Sequence, residues 1–138
     1  RFIFETKEKV DKDGYAPLYS RDSGRQKDFT SLSSRISEIM TVHAGIIRNE
    51  QLLYEGLNKL EKERANFVRG TKEIFDRMGE NLIIVAELII RSAINRRESR
   101  GGHFREDYPT EDKSFIHHIV QQKGEEIFTI SVNENTGE

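Results

Sequence analysis

The sequence predicts an all-α protein: an up-down-up bundle of three helices, similar to a spectrin repeat, followed by an extended segment and a C-terminal β-hairpin. Three observations predict it. Apolar residues recur at steps of three and four through most of residues 32–94. Glycine and capping residues divide this stretch into three segments. Two short runs rich in β-branched residues follow, with a glycine-containing turn between them.

The first two helices follow from the spacing of apolar side chains. The first apolar stripe begins after Ser31, a residue type suited to an N-cap. The pattern weakens near Asn49, which can cap a second helix. The first stripe comprises Leu32, Ile36, Ile39, Met40, His43, Ile46 and Ile47. The second comprises Leu53, Leu57, Leu60, Arg64 and Phe67.

The third helix is the most apolar of the three. Gly70-Thr71 predicts the end of one helix and the N-cap of the next. Between Leu82 and Ile94 the apolar arc is too wide for a surface helix, so we expect a central, most buried helix that touches more than two neighbours. Gly79 costs the helix up to about 1 kcal/mol relative to Ala, which predicts tight packing or a bend there.

The region after the third helix predicts extended structure. We expect the helix to run to Ser99 or Arg100 and to stop at Gly101-Gly102. Pro109 moves the residue before it out of helical geometry. Residues 115–121 and 126–132, joined by a turn at Lys123-Gly124, predict the hairpin.

These boundaries divide the chain into three parts. We expect residues 1–30 to form a linker or arm from a missing upstream domain, residues 31–100 the bundle, and residues 101–138 the extended segment, the hairpin and a tail. The chain starts at Arg rather than Met, which suggests a piece of a longer protein. Residues 1–10 are too charged for a signal peptide.

Composition excludes several classes of protein. The formal net charge of −2 argues against bulk attraction to nucleic acid or to an anionic membrane. No apolar run approaches the roughly 20 residues needed to span a bilayer. The 138 residues include no cysteine, which excludes disulfides, thiol nucleophiles and thiolate metal sites. A cytoplasmic location fits this composition.

No catalytic, cofactor-binding or metal site is expected in the chain. It lacks the glycine patterns that bind phosphates, and Gly101-Gly102 follows a helix rather than a strand. His43 lies on the first apolar stripe, where we expect a core or interface histidine with satisfied hydrogen bonds. His117 and His118 are neighbours in a predicted strand, so their side chains point to opposite faces.

Arginines cluster near the end of the third helix. They are interleaved with acidic residues, which argues against nucleic acid and leaves two hypotheses. The first hypothesis is that the cluster docks onto another protein surface through two-pronged contacts to carboxylates or carbonyls. The second is that it pins the following segment back onto the bundle. The candidate docking residues are Glu98, Ser99, Arg100, His103, Arg105 and Asp107.

The same residues resemble a family signature. The stretch Arg96-Arg97-Glu98-Ser99-Arg100-Gly101-Gly102-His103-Phe104-Arg105-Glu106-Asp107-Tyr108-Pro109 resembles the pattern R-x-E-S-R-G-x-H-x-R-x-D, then F or Y, then P. This pattern ends the C-terminal three-helix domain of the flavoproteins that include succinate dehydrogenase and fumarate reductase flavoprotein subunits and L-aspartate oxidase. Residues 40–48 resemble the M-x-x-x-x-G-I-x-R segment of that domain, and residues 82–91 resemble the long helix of L-aspartate oxidase. The resemblance covers residues 32–110.

The resemblance implies a part of an enzyme rather than a whole one. Family members oxidise a dicarboxylate with FAD held in an upstream domain, so the implied partner is the FAD domain of the same polypeptide. Neither the FAD fingerprint nor the substrate-binding residues lie in these 138 residues. The G-I-I-R ending favours L-aspartate oxidase, which converts L-aspartate to iminoaspartate in NAD biosynthesis.

Two other hypotheses stay open. In the first, the chain is the helical domain of a succinate dehydrogenase or fumarate reductase flavoprotein subunit. In the second, it is a free-standing helical adaptor that binds a protein. The sequence also leaves open whether the protein forms a homo-oligomer.

Overall fold

The computed structural model describes residues 23–67 and 74–132. Its helices are α1 (Ser23–His43), α2 (Glu50–Asn66) and α3 (Ile74–Asn95). The shorter elements are β1 (Ile47–Arg48), β2 (Phe104–Arg105), a 3₁₀ turn (Lys113–Phe115), β3 (His117–Val120) and β4 (Phe128–Ser131). The predicted helical bundle with a C-terminal hairpin is confirmed. Residues 1–22 of the expected arm, the Gly70-Thr71 boundary and the tail over 133–138 lie outside the described residues.

Contacts between the helices give their directions. Arg35 of α1 pairs with Glu63 of α2 at 3.0 Å, whereas His43 further along α1 packs against Gly56, earlier in α2. Advancing along one helix therefore means going back along the other, so the two are antiparallel. Contacts between α2 and α3 have the same order: Arg64 with Glu87 and Glu61 with Arg91. The up-down-up order of the bundle follows.

The core lies between the three helices. α2 begins as predicted, because the Asn49 side chain accepts a hydrogen bond from the Leu52 N–H at 2.9 Å. A Cβ added to Gly79 would lie 2.8 Å from the ring of Phe67, which confirms the predicted tight packing at this glycine. The largest buried apolar residues are Leu32, Ile36, Ile39, Leu53, Leu57, Leu60, Ile83, Ile90 and Ile94.

The first helix has different ends from those predicted. α1 begins at Ser23, and Ser31 is not its N-cap but lies inside it, where its hydroxyl accepts a hydrogen bond from Arg35. The ring of Phe29 packs 6.0 Å from that of Phe75, so tertiary packing extends α1 before the apolar stripe. At the other end Ile46 and Ile47 leave the helix and are exposed.

The third helix is central, as predicted, but shorter than predicted. It ends at Asn95 rather than at Ser99 or Arg100. It packs against α1 and α2, and Gln121 donates to the Leu88 carbonyl at 2.8 Å. Among the described residues it has more buried positions than either other helix, so it is the central, most buried helix with more than two neighbours, as predicted. One strip of its apolar arc is exposed. This strip comprises Ile84, Val85, Leu88 and Ile89.

The hairpin forms as predicted. β3 and β4 are antiparallel, with His118 opposite Ile130. The turn contains Gly124 at φ +86°, a conformation that side chains with a Cβ rarely adopt. None of the helices in the described ranges is long and apolar enough to cross a membrane.

Candidate functional site

All six candidate docking residues lie in one segment after α3, residues 96–112, which we call the closing loop. A turn at Gly101-Gly102 reverses the chain, with reciprocal backbone hydrogen bonds between Arg100 and His103 at 2.8 and 3.0 Å. Gly101 has φ +56°, which explains a glycine at this position. β2 then pairs in parallel with β1, so the closing loop returns to the start of α2.

Glu98 is the centre of one half of the closing loop. Its side chain is 0% exposed. It accepts hydrogen bonds from Arg96 at 2.6 Å, from Arg100 at 2.9 to 3.1 Å and from the Asp112 N–H at 3.0 Å. The Arg100 guanidinium contributes most to lowering the pKa of Glu98 to about 2, and the bonds from Asp112 and Arg96 add to it against the effect of burial. This carboxylate is therefore ionised at neutral pH.

Arg105 is the centre of the other half. It is fully buried, and its Nη1 donates to the carbonyl of Ala93 at 2.8 Å and, at 3.4 Å, to those of Ile94 and Arg96. These carbonyls at the end of α3 have no partner further along the helix, so the guanidinium caps them and suits the negative end of the helix dipole. The contact thus provides hydrogen bonds to carbonyls at the point where α3 ends, Asn95. The same guanidinium binds Asp107.

Asp107 connects Arg105 to the start of α2. Arg105 binds both of its oxygens, at 2.7 and 2.6 Å, and the Glu50 N–H donates to it at 2.9 Å. The hydrogen bonds from Arg105 are the main reason why the pKa of Asp107 falls to about 2. Ser99 fastens the loop from within, because its hydroxyl accepts from the Arg105 N–H and donates to the Tyr108 carbonyl, both at 2.8 Å.

His103 lies between two arginines. Its Nε2 is 3.1 Å from the Arg96 carbonyl oxygen and so donates to it, which leaves Nδ1 to accept from Arg48 Nη1 at 2.8 Å. Burial, followed by the positive charges of nearby arginines, lowers the pKa of His103. The imidazole is therefore neutral at neutral pH and acts as a bridge between β1 and the closing loop.

Two observations on the described residues bear on flavin and metal binding. Dinucleotides need backbone N–H groups at a helix N-terminus after a glycine-rich turn, and Gly101 and Gly124 both stand in turns that no long helix follows. Within the described ranges no group of three His, Asp or Glu residues is placed to hold a metal ion. The contacts that the closing loop does make are ion pairs and helix-capping hydrogen bonds.

Sequence reasoning brought the six candidate residues together but missed two of their partners. Arg96 binds Glu98 and also donates to the carbonyls of Phe115 and His117, which ties the hairpin to the closing loop. Arg48 supports His103 from β1. The sequence did mark Arg48, because it is the last residue of the G-I-x-R segment. Docking by the six residues stays a prediction.

His43 is buried, as expected, but differs in its hydrogen bonding. It is 3% exposed, and neither ring nitrogen has a hydrogen-bond partner within the described part of the chain. The reason is its position against Gly56 of α2 and the core, where its neighbours are mainly apolar.

Comparison with known proteins shows which family the chain resembles. Residues 33–136 match the family model described as the fumarate reductase flavoprotein C-term. An L-aspartate oxidase of Pyrococcus horikoshii is 45% identical over 82 residues, which are 59% of this chain and 15% of that protein. A succinate dehydrogenase flavoprotein subunit of Bacillus subtilis is 27% identical over 117 residues, which are 78% of this chain and 20% of that protein.

A solved structure supports the same assignment. The Mycobacterium smegmatis Sdh1 complex in the apo form superposes with a TM-score of 0.58 at 26% identity, over 74% of this chain and 20% of that one. The fold and the closing loop thus define a helical C-terminal domain of a flavoprotein. The chain belongs to the fumarate reductase flavoprotein C-terminal family. It spans about a fifth or less of the length of these relatives.

Proposed function

We propose that this chain is the C-terminal helical domain of an FAD-dependent L-aspartate oxidase, an enzyme that converts L-aspartate to iminoaspartate in the cytoplasm. The observation that carries the proposal is the difference in similarity between two branches of one family. Identity reaches 45% with an L-aspartate oxidase and 27% with a succinate dehydrogenase flavoprotein subunit. The family match also favours a flavoprotein over a free-standing adaptor.

The domain's role in that enzyme is to support the FAD domain of the same polypeptide rather than to react. The closing loop supplies ion pairs between its own residues and helix ends, and it lacks an acid–base pair directed at a pocket. FAD and the groups that bind the dicarboxylate belong to the remainder of the enzyme.

A substrate comparison on the full-length protein tests this proposal. The purified protein should carry flavin that is released as FAD, and it should reduce an electron acceptor with L-aspartate. We expect kcat/KM for L-aspartate to exceed that for succinate by at least about a hundredfold, since the enzyme would stabilise the transition state of amine rather than alkane oxidation.

The reverse preference would assign the chain to a succinate dehydrogenase or fumarate reductase subunit. This is the second candidate, and the similarity of the fold to the M. smegmatis complex favours it. A protein without flavin would contradict both flavoenzyme assignments.

A further inference from the structure

A groove runs between α3 and the first strand of the hairpin, on the side of α3 away from α1 and α2. Its volume is about 520 Å³. Val85, Leu88 and Ile89 form one wall and Ile119 of β3 part of the other. The three α3 side chains are 39 to 52% exposed, although they are apolar and adjacent on the helix. This α3–hairpin groove contains the exposed strip of the apolar arc of α3.

At one end of the α3–hairpin groove lies a cation, Arg48, that has no counter-ion among the described residues. Arg48 is half-buried there and donates to the Ala44 carbonyl at 3.2 Å and to His103, both neutral. Burial lowers the pKa of Arg48, and no carboxylate contacts it within the described residues. Arg96 differs, because it pairs directly with the Glu98 carboxylate at 2.6 Å. No Asp or Glu from the described residues lines the groove.

A half-buried guanidinium is stabilised when a carboxylate approaches it, and an exposed apolar wall is stabilised when apolar side chains cover it. A single occupant that carries a carboxylate and apolar side chains would pair with Arg48 and cover the apolar wall at the same time. A second copy docked groove to groove would bring another Arg48 and no carboxylate from either groove. In the relatives, some four-fifths of the polypeptide length lies outside the region matched by this chain. That part of the polypeptide offers more surface with apolar side chains and carboxylates than a second copy of this domain does.

We propose that the α3–hairpin groove, rather than the closing loop, receives the FAD domain of the same polypeptide, through an apolar segment that places one carboxylate against Arg48. The proposal rests on the proposed function, because it takes the FAD domain as the occupant. The closing loop holds the groove in shape: His103 positions Arg48, and Arg96 fixes the hairpin through the carbonyls of Phe115 and His117.

Thiol labelling of the full-length protein tests the groove. The 138 residues contain no cysteine, so Val85→Cys introduces a single thiol into the domain. Val42→Cys is a matched control: Val42 is 55% exposed against 52% for Val85, and it lines the groove between α1 and α2 instead. Modification by a maleimide is followed by mass spectrometry of the labelled peptide.

We expect the thiol of Val85→Cys to react at least 10 times more slowly than that of Val42→Cys. Equal rates in a protein that keeps flavin and aspartate turnover would overturn the docking proposal and leave the proposed function intact. Slow labelling of Val85→Cys in a protein that does not turn over L-aspartate would support the docking proposal and contradict the proposed function. Protection that is lost on dilution would assign the groove to a second copy, and protection that requires an added dicarboxylate would assign it to a small ligand; either overturns the proposal.

A second substitution tests the carboxylate. Adding Arg48→Gln to Val85→Cys should speed labelling at least fivefold, because the groove loses the charge that holds its occupant. Arg35→Gln is the control, since Arg35 pairs with Glu63 on the opposite face and should leave the rate unchanged. An unchanged rate with Arg48→Gln would contradict the contact between Arg48 and a carboxylate.

Discussion

Glu98 and Arg105 are charged residues that the solvent does not reach, and each stands at the centre of its own set of bonds. Glu98 pairs with both Arg96 and Arg100, and Arg105 is neutralised by Asp107 while it caps α3. Buried charges of this kind are tolerated only when they are paired and hydrogen-bonded. At the residue scale the closing loop is therefore held by its own ion pairs.

Acid should weaken the domain through Glu98. In the unfolded chain this carboxyl takes up a proton near its ordinary pKa of 4.5, whereas in the folded domain it stays ionised to about 2. The unfolded state thus binds more protons over this range, so the free energy of unfolding falls as the pH drops from about 4.5 to about 2. Asp107 adds to the loss below its ordinary pKa of 3.8.

Urea unfolding of the 138-residue chain at a series of pH values measures this loss. Glu98→Gln should lower stability near neutral pH, because Arg96 and Arg100 lose their charged partner, and should reduce its fall in acid. A variant that loses stability in acid as steeply as the parent would show that other carboxyls control the transition.

At the scale of the element, α3 has two apolar faces with different surroundings. Ile90 is fully buried between α1 and α2, whereas the adjacent Ile89 is 45% exposed in the α3–hairpin groove. Sequence reasoning found both faces, because apolar periodicity marks every surface that avoids water. It cannot say which face is covered within the domain and which face stays exposed.

Two single substitutions of neighbouring isoleucines by alanine should distinguish the buried face of α3 from the exposed one. In the 138-residue chain Ile90→Ala should cost roughly 2–5 kcal/mol of unfolding free energy, the range for large-to-small changes in a core. Ile89→Ala should cost about 1 kcal/mol or less, because its side chain already contacts water. Denaturant melts measure both, and similar losses for the two variants would contradict the packing of α3.

Helix ends were harder to predict than helices. Asn49 was found because its capping acts within the next three residues. The end of α3 was not found, because Arg105, ten residues beyond Asn95, caps the last turn. The start of α1 depends likewise on the ring of Phe75, which belongs to another helix. Local signals were readable from the sequence, whereas contacts between distant residues were not.

At the scale of the whole molecule, the signature of the closing loop identified the family without showing what its residues do. Their spacing matched the pattern, but their partners depend on how the chain turns at Gly101-Gly102 and returns to β1. The six residues could therefore be proposed as docking residues. Arg48, which no carboxylate of the described residues contacts, and the apolar wall beside it become visible only when the hairpin is placed against α3.

We propose that the closing loop holds the domain together and takes no part in the oxidation. The most direct test is turnover per bound flavin in full-length Glu98→Gln, measured beside its melting temperature. We predict a melting temperature lower by about 3 °C or more, since the buried ion pairs weaken, with kcat per flavin within about twofold of the parent. An unchanged melting temperature with a hundredfold lower kcat, about 2.7 kcal/mol of barrier, would place Glu98 in the reaction and contradict the account.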